Sequence, residues 1–212
     1  MLTFRLQASH RTLTRLEKSN LFLCLLPILA VQIAYVYVFG FHKDLRVRQL
    51  SIALLGVYWC VAALKVEWAL EETYPHFDYH NPPADMSKYT PFCDFASWAK
   101  CSKVLMSPYG RVMRYVGIAE AGSAVDVPNP VLGFGFCRAH ILYPLLKGIK
   151  FPALDELASM VCVFVGFFSI WLAHKLFIVL EDFCIVCVSS YMANFLLLHT
   201  MLKIRTANNR CA

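Results

Sequence analysis

Four of the nine cysteines are spaced in ways that suit thiol chemistry. Cys184 and Cys187 stand three residues apart, and Cys93 and Cys101 stand eight apart. Residues three apart on a helix share one face, so helical Cys184 and Cys187 side chains point the same way. We expect Asp182 to cap that helix, which puts both sulfurs in the first turns, where unpaired N–H groups favour thiolate. The pattern predicts a reactive dithiol.

The pair Cys93 and Cys101 has three interpretations. It fits a structural disulfide that holds a loop. It also fits half of a zinc site, but zinc ligands commonly come as close pairs, and only Cys184 and Cys187 are close. As a third interpretation, it passes electrons to the second pair by thiol–disulfide exchange. We therefore expect a redox function and no bound metal.

The composition is that of a polytopic membrane protein. Hydrophobic residues make up 58% of the 212 residues and charged residues 16%, whereas a soluble domain carries about 25% charged residues. The mean hydropathy is +0.54. The net charge of +6 has no aromatic-interleaved basic stripe, which argues against nucleic acid as a partner. Basic residues that flank membrane spans explain this charge.

Five apolar segments are candidate membrane spans. They are Leu21–Phe41, Leu50–Leu70, Pro128–Leu146, Ala153–Leu180 and Phe183–Leu202. The first could instead be a signal peptide, but the apolar core of such a peptide is normally about 7–15 residues long. We expect a retained helix. The large polar segment, residues 71–127, is predicted to begin as irregular loop and then to form short amphipathic helices.

Positive charges predict the orientation of the later spans. Three basic groups flank them: Lys43, Arg46 and Arg48; Lys147 and Lys150; Lys203, Arg205 and Arg210. If spans two to five cross alternately, all three groups lie on one side, which is expected to be cytosolic. The polar segment and Cys184 then face the opposite compartment, which is oxidising if it is the lumen of the endoplasmic reticulum.

Four stretches, taken in order, resemble the vitamin K epoxide reductase family. They are Cys93-Asp94 with Cys101-Ser102 and then Tyr109-Gly110-Arg111; Asn129 with Gly133 and Phe136; Ser169 to Ala173; and Leu180 to Tyr191. The resemblance covers about residues 50–205. It implies an all-α integral membrane protein of the endoplasmic reticulum: a four-helix transmembrane bundle with a lumenal loop that caps the site.

The resemblance also implies a division of the chain. Residues 1–49 would be a basic N-terminus with an extra hydrophobic helix, residues 50–205 the reductase core with its lumenal loop 71–127, and residues 206–212 a cytosolic tail. The resemblance implies that membrane lipid surrounds the protein. The implied substrates are vitamin K quinone and its epoxide, with no tightly bound cofactor.

The family's chemistry carries over to four cysteines by position. Cys187 would attack the quinone or epoxide, and Cys184 would resolve the adduct as a Cys184–Cys187 disulfide. Cys101 would attack that disulfide at Cys184. Cys93 would then exchange with a thioredoxin-like lumenal oxidoreductase.

Three further residues would bind the substrate. The resemblance implies that Asn129 and Tyr191 hydrogen-bond its oxygens and that Phe136 lies beside it. Tyr191 is four residues after Cys187, on the same helix face. A tyrosine of the membrane-interface belt and a turn asparagine between two prolines are the alternative interpretations of Tyr191 and Asn129.

The chain departs from the family pattern at several places. The N-terminal apolar run is additional, and the segment from about Glu71 to Thr90 is longer than expected. Cys137 and Leu132 stand where aromatic residues are expected, which bears on the shape of the pocket. His174 and Lys175 lie in a predicted span, so we expect them near an interface or a polar cavity.

Three hypotheses follow from the sequence. The first is a membrane thiol–quinone oxidoreductase that reduces vitamin K epoxide and quinone. The second, with the same chemistry, is a quinone-dependent enzyme that forms disulfides in lumenal thioredoxin-like partners. The third is a non-catalytic membrane protein whose loop disulfide is structural.

Overall fold

We analysed a computed structural model that describes residues 30–74, 89–96, 98–146 and 153–209. In this part of the chain the regular structure is helical. The helices are α1 (Ala30–Gly40), α2 (Leu45–Thr73), α3 (Cys101–Leu105), α4 (Val112–Tyr115), α5 (Asn129–Leu146), α6 (Leu154–His174) and α7 (Ile185–Asn209). A π-helical stretch, Lys175–Val179, extends α6, and a 3-10 turn, Pro108–Gly110, precedes α4.

Three of the helices are long and apolar enough to cross a bilayer. They are α2, α7, and α6 together with its π-helical extension. About 20 apolar residues span the hydrocarbon core, and each of the three exceeds that length. Three of the five predicted spans are thereby confirmed as membrane-capable helices. The predicted third span forms α5, which contains Arg138 and His140.

The helix bounds differ from the predicted ones by a few residues. Helix α2 begins at Leu45 because Asp44 caps it: the Asp44 side chain accepts a hydrogen bond from Arg46 N at 2.8 Å. Helix α7 extends to Asn209, beyond the predicted end at Leu202. Basic and polar side chains at these ends made the apolar pattern shorter than the helices.

The long helices pack antiparallel into one bundle. Helix α2 packs against α5 and α7, and α6 packs against α7. At one end, Arg205 of α7 pairs with Glu156 of α6 at 2.7 Å, and Leu45 packs near Tyr143 and Ile204. The start of α2 and the ends of α5 and α7 therefore meet at one end of the bundle. The four cysteines of the predicted site lie at the other end.

A segment that we call the lid, residues 89–96 and 98–128, covers that second end. It contains α3, the 3-10 turn and α4, so the expectation of short helices after Phe92 is confirmed. Its apolar residues join the main core cluster, which also includes Trp59 and Leu70 of α2 and Ile185 of α7. Burial of these apolar side chains holds the lid on the bundle.

The N-terminal helix contacts the bundle through polar side chains. The Tyr35 hydroxyl donates to Ser51 O at 2.9 Å, and the Ser189 hydroxyl donates to Gln32 Oε1 at 3.1 Å. The predicted run Leu21–Phe41 is thus helical in its described part, Ala30–Gly40. Residues 21–29 and most of the long segment before Tyr89 lie outside the described residues.

Candidate functional site

The two cysteine pairs meet where the lid contacts the start of α7. The sulfurs of Cys101 and Cys184 are 3.3 Å apart. Cys93, Cys101 and Cys184 are fully buried, whereas Cys187 is only partly buried. Each of these four cysteines is a free thiol in this structure. Of the four, Cys187 is the one that is partly exposed.

A tight turn in the lid brings Cys93 and Cys101 together. Phe95 N donates to Ala99 O at 3.0 Å, and Ala99 N donates back to Ala96 O at 3.1 Å. Beyond the turn, the Asp94 carboxylate accepts from the backbone N–H of Ser102 at 2.9 Å and from the Ser102 hydroxyl. Asp94 therefore positions the cysteine pair.

The first turn of α7 presents backbone N–H groups to the sulfurs. Cys184 immediately precedes the helix, and its sulfur accepts a hydrogen bond from Cys187 N at 3.3 Å. The backbone N–H groups of Ile185 and Val186 lie beside the Cys101 sulfur and lower the pKa of Cys101. These donors have no partner within the helix and carry its positive dipole end. The lid thus inserts the Cys101 sulfur at the N-terminus of α7.

Hydrogen bonding gives the buried cysteines opposite acidities. Hydrogen bonds from the thiols of Cys184 and Cys93 lower the pKa of Cys101 to about 4, and the two α7 amides act in the same direction. The hydrogen bond to Cys101, together with burial, raises the pKa of Cys93. Burial raises the pKa of Cys184. In the reduced protein Cys101 is therefore the thiolate, with a thiol on either side of it.

Asp182 does not cap α7, which corrects the sequence prediction. Its Oδ1 accepts from Lys100 N at 2.9 Å and from Phe183 N at 3.0 Å, and its Oδ2 pairs with Lys103 Nζ at 3.0 Å. Helix α7 begins three residues later, at Ile185, so Cys184 occupies the capping position. The buried Asp182 carboxylate instead holds the lid against the short segment that directly precedes α7.

A second anchor joins the lid to α2. Arg111 pairs with the buried Glu67 at 3.2 Å and with Glu71, both near the end of α2. It also donates to Asp126 O at 2.8 Å. Arg114 forms a further ion pair with Asp126. This charged network fixes the far half of the lid.

Asn129, at the start of α5, completes the attachment of the lid. Its Oδ1 accepts from Val112 N at 2.9 Å, and its Nδ2 donates to Tyr109 O at 2.6 Å. The amide therefore holds two backbone groups of the lid, a contact that the sequence did not predict. Asn129 also lines the cavity described next, so one N–H of the amide remains for a ligand.

Beneath the lid lies a cavity of about 640 Å³ that is lined mainly by apolar side chains. The three predicted substrate-binding residues, Asn129, Phe136 and Tyr191, all line this cavity, and so does Cys187. Cys184 does not line the cavity. The sequence-predicted residues thus form a path from the lid cysteines through Cys184 to Cys187, which lines the cavity.

The lid cysteines also form a possible ligand set. The sulfurs of Cys93 and Cys101 and a carboxylate oxygen of Asp94 lie within 4.8 Å of one another. A structural zinc ion takes four ligands, and the Asp94 carboxylate already accepts two hydrogen bonds from Ser102. The set therefore lacks a fourth ligand for zinc, and its carboxylate ligand is already hydrogen-bonded to Ser102.

Comparison with known proteins identifies the family of the chain. The profile of the vitamin K epoxide reductase family matches residues 47–202, well over half of the chain. The chain belongs to this family. The match includes both cysteine pairs, Asn129, Phe136 and Tyr191, and it leaves α1 outside.

Two curated relatives of this family were compared in detail. The chain is 36% identical over 107 residues to vitamin K epoxide reductase complex subunit 1 of Rattus norvegicus and to that of Mus musculus. The aligned part covers 50% of this chain and 65% of each relative. The chain thus matches somewhat less than two thirds of the length of these reductase-family relatives.

Three polar residues that line the cavity were given no role in the sequence analysis: Ser169, Ser190 and Asn194. Ser190 and Asn194 lie on the same face of α7 as Cys187 and Tyr191, and Asn194 Nδ2 donates to Ser169 Oγ at 2.9 Å. Positions 187, 190, 191 and 194 are spaced by three or four residues. This helical spacing is the sequence signal that could have identified all four positions as one wall of the cavity.

Lys175 is a charged residue of the cavity wall. Its Nζ lies 5.4 Å from the centre of the Tyr109 ring and 5.6 Å from that of Trp171. It begins the π-helical extension of α6, while His174 before it is exposed. Lys175 lines a cavity whose walls are mainly apolar rather than polar, and the aromatic faces of Tyr109 and Trp171 stabilise its ammonium group.

Proposed function

We propose that the protein is a membrane thiol–quinone oxidoreductase that reduces vitamin K epoxide and vitamin K quinone. The observation that carries the proposal is the 3.3 Å separation of the Cys101 and Cys184 sulfurs, next to a cavity lined by Cys187. Thiol–disulfide exchange needs this contact between an attacking thiolate and the sulfur it attacks. Family membership and the names of the two relatives support the choice of substrate.

The cavity suits a hydrophobic quinone. Ligand sites for small molecules commonly have volumes of about 300–1,000 Å³, apolar walls and a few polar groups that fix orientation. The cavity volume of about 640 Å³ lies in this range, and Asn129, Tyr191 and Lys175 are its directed polar groups. We assign the quinone oxygens to Asn129 and Tyr191, and the ring to the apolar wall at Phe136.

The proposed reaction begins at Cys187. Its thiolate attacks the quinone ring or the epoxide carbon, and the Cys184 thiol then displaces the substrate from the Cys187 adduct. A Cys184–Cys187 disulfide forms, and the substrate gains two electrons and two protons. The quinone becomes a hydroquinone, whereas the epoxide loses its oxygen as water and becomes the quinone. The developing oxyanion accepts a hydrogen bond from Tyr191, which is effective in a water-poor cavity.

The lid cysteines then restore the dithiol. The Cys101 thiolate attacks Cys184, which releases the Cys187 thiolate and leaves a Cys101–Cys184 disulfide. Cys93 attacks Cys101 in turn, so the oxidised pair becomes Cys93–Cys101. A thioredoxin-like dithiol reduces that pair. Because Cys93 is fully buried, part of the lid opens for this last exchange.

We propose that this chemistry takes place at the lumenal face of the endoplasmic reticulum membrane. In this arrangement α5 crosses the bilayer as a fourth helix beside α2, α6 and α7, and the lid forms the lumenal cap. Basic residues at the bundle end that contains Arg205 would then face the cytosol, in agreement with the positive-inside rule.

The test is turnover of purified protein with vitamin K epoxide and with vitamin K quinone under a small dithiol reductant. We expect turnover of both substrates, loss of turnover in Cys187→Ser, and turnover with the small dithiol in Cys93→Ser. Cys162→Ser, which removes a buried cysteine away from the four, is the matched control. Unchanged turnover in folded Cys187→Ser would contradict the mechanism and favour a structural role for the cysteines.

A separate measurement distinguishes the proposed reductase from the disulfide-forming alternative. A disulfide-forming enzyme would oxidise a thioredoxin-like dithiol with quinone but would leave the epoxide unreduced. Reduction of the epoxide by the wild-type protein therefore supports the proposed reductase. A protein that oxidises the dithiol with quinone but leaves the epoxide unchanged would favour the disulfide-forming alternative.

A further inference from the structure

Lys175 is a polar group of the cavity to which the proposed reaction gives no role. Among the described residues that line the cavity it is the one Lys or Arg, and no Asp or Glu stands among them. In the described part of the chain, no carboxylate forms an ion pair with its Nζ. The described wall of the cavity therefore carries a positive charge that no acid of the wall neutralises.

Two aromatic rings hold this charge in place. Lys175 Nζ lies 5.4 Å from the centre of the Tyr109 ring and 5.6 Å from that of Trp171, within the range of a cation–π interaction. The ring faces attract the ammonium group but offer no lone pair to its three N–H donors. A charge beside apolar surface is costly unless it finds such a partner. A ligand with an anionic oxygen would supply the missing acceptor.

The position of Lys175 in the fold favours a binding role. It is the first residue of the π-helical stretch Lys175–Val179, and π-helical stretches are frequent at functional sites. The Tyr109 ring beneath its ammonium group belongs to the lid residue whose carbonyl oxygen accepts from Asn129 Nδ2 at 2.6 Å. Lys175 and Asn129 therefore have Tyr109 as a common neighbour and serve the same region of the cavity.

We propose that Lys175 is an anion subsite of the cavity, which binds quinones that carry an ionised hydroxyl on the carbon next to a ring carbonyl. The carbonyl oxygen accepts from Asn129, and the neighbouring anionic oxygen accepts from Lys175 Nζ. A neutral quinone fills the same cavity without the second contact. The choice of a quinone ring rests on the proposed function, whereas the need for a negative oxygen rests on the surroundings of Lys175.

The simplest alternative is that Lys175 only extends along the apolar wall toward water, as lysines near the ends of membrane helices do. Its ammonium group would then be solvated. Removal of the charge would in that case not discriminate between a charged and a neutral ligand, so the two interpretations differ in a binding measurement.

The experiment uses the full-length protein in a non-ionic detergent, oxidised and without a reductant, so that the bound ligand is not reduced. The probes are phthiocol, a methylated hydroxynaphthoquinone whose hydroxyl is ionised at neutral pH, and its neutral methyl ether. Equilibrium dialysis gives the Kd of each. Lys175→Met keeps an apolar side chain of similar length but removes the charge. The matched control is Lys65→Met, which removes an exposed lysine of α2 that does not line the cavity.

We expect Lys175→Met to weaken the binding of phthiocol at least about tenfold, the scale of a hydrogen bond between charged groups, and to change the Kd of the ether by less than about twofold. Lys65→Met should bind both ligands as the wild type does. Equal weakening of both ligands in Lys175→Met would show that the side chain only shapes the cavity. Unchanged binding of phthiocol would show that the charge is not used. Either result overturns the inference.

A pH series on wild-type protein tests the inference without any variant. Acidification protonates the hydroxyl of phthiocol and should weaken its binding at least about tenfold, whereas the Kd of the ether, which has no such group, should stay constant. Phthiocol that binds as tightly after protonation as before would overturn the inference.

Failure of the inference is distinguishable from failure of the proposed function, because binding is measured without turnover. If the ether binds but the affinity for phthiocol does not depend on Lys175, the inference is wrong and the proposed function stands. If phthiocol binds as expected but vitamin K quinone and its epoxide are not turned over, the inference stands and the proposed function fails. If neither probe binds, the inference is wrong, and turnover decides the proposed function.

Discussion

The sulfur of Cys101 lies 3.3 Å from the sulfur of Cys184, although 83 residues separate them in the chain. Cys101 belongs to the lid and Cys184 directly precedes α7. The lid must therefore be docked for the two sulfurs to meet. The chemistry proposed for the site depends on contacts that are themselves far from the substrate.

The first prediction concerns trapping of this contact. In the double variant Cys93→Ser/Cys187→Ser, neither sulfur retains its alternative partner. Mild oxidation is then expected to join Cys101 and Cys184 in nearly all molecules, because the two sulfurs are already in contact. Mass spectrometry of unreduced peptides measures the link. With Cys101→Ser added, the link should vanish; a link from Cys184 to another cysteine in the double variant would contradict the assignment.

The second prediction concerns the acidity of Cys101. Because the pKa of Cys101 is lowered to about 4 by its hydrogen-bond donors, the reduced protein should retain one thiolate as the pH falls from about 8 to about 5. The ultraviolet absorbance of thiolate, as a difference between wild type and Cys101→Ser, measures it. The difference should disappear near the pKa. Cys162→Ser should show the wild-type titration, and a difference lost already near pH 8 would refute the assignment.

The third prediction concerns docking of the lid by Asp182. Asp182→Asn keeps an oxygen for the backbone N–H groups but removes the charge that faces Lys103. Hydrogen bonds to charged groups are stronger than neutral ones by about 1 kcal/mol, which corresponds to about a fivefold population change. We expect alkylation of Cys93 and Cys101 to accelerate at least about fivefold. Glu181→Gln removes the same charge from the exposed neighbouring residue and should leave the rate unchanged.

The fourth prediction concerns Gly110 in the lid. A Cβ atom at this position would overlap the carbonyl oxygen of Leu105, so the backbone of the lid has to shift in Gly110→Ala. We expect a lower thermal midpoint and faster alkylation of Cys101. Gly135→Ala is the matched control, because an added Cβ there meets nothing within 4 Å and alanine favours a helix. Equal midpoints for the two variants would exclude the steric argument.

The fifth prediction concerns Tyr191 as a donor to the substrate. Loss of one donor to a developing oxyanion typically lowers kcat by about 10²–10³-fold. Tyr191→Phe is expected to lower kcat for quinone reduction on that scale, with a smaller effect on KM. Tyr58→Phe removes a hydroxyl from an exposed position on α2 and should have no effect. A change confined to KM in Tyr191→Phe would assign the residue to binding alone.

Much of this architecture follows from local pattern. Apolar runs predict the long helices, and the cysteine spacing identifies the two pairs. The role of Asp182 could not be predicted in this way, because its partners Lys100 and Lys103 are about 80 residues away and only the docked lid brings them near. The same limit applies to Asn129, whose amide holds backbone groups of the lid.

Cys60 and Cys137 show the limit for packing between helices. Cys60 and Cys137 lie in separate apolar runs, and each alone is typical of a small buried side chain. The sulfur of Cys137 packs against Gly56 and that of Cys60 against Gly133, which depends on the rotation of α2 against α5. A single helix does not encode that rotation. It becomes visible only when both faces are assembled.

The sulfur of Cys184 is shared between two neighbours, the amide of Cys187 and the sulfur of Cys101. Under the proposed relay, its covalent bond passes from one to the other. When it is bonded to Cys101, a covalent bond joins the lid to the start of α7. The lid is thus covalently tied to the bundle in one state of the cycle and held by non-covalent contacts in the others.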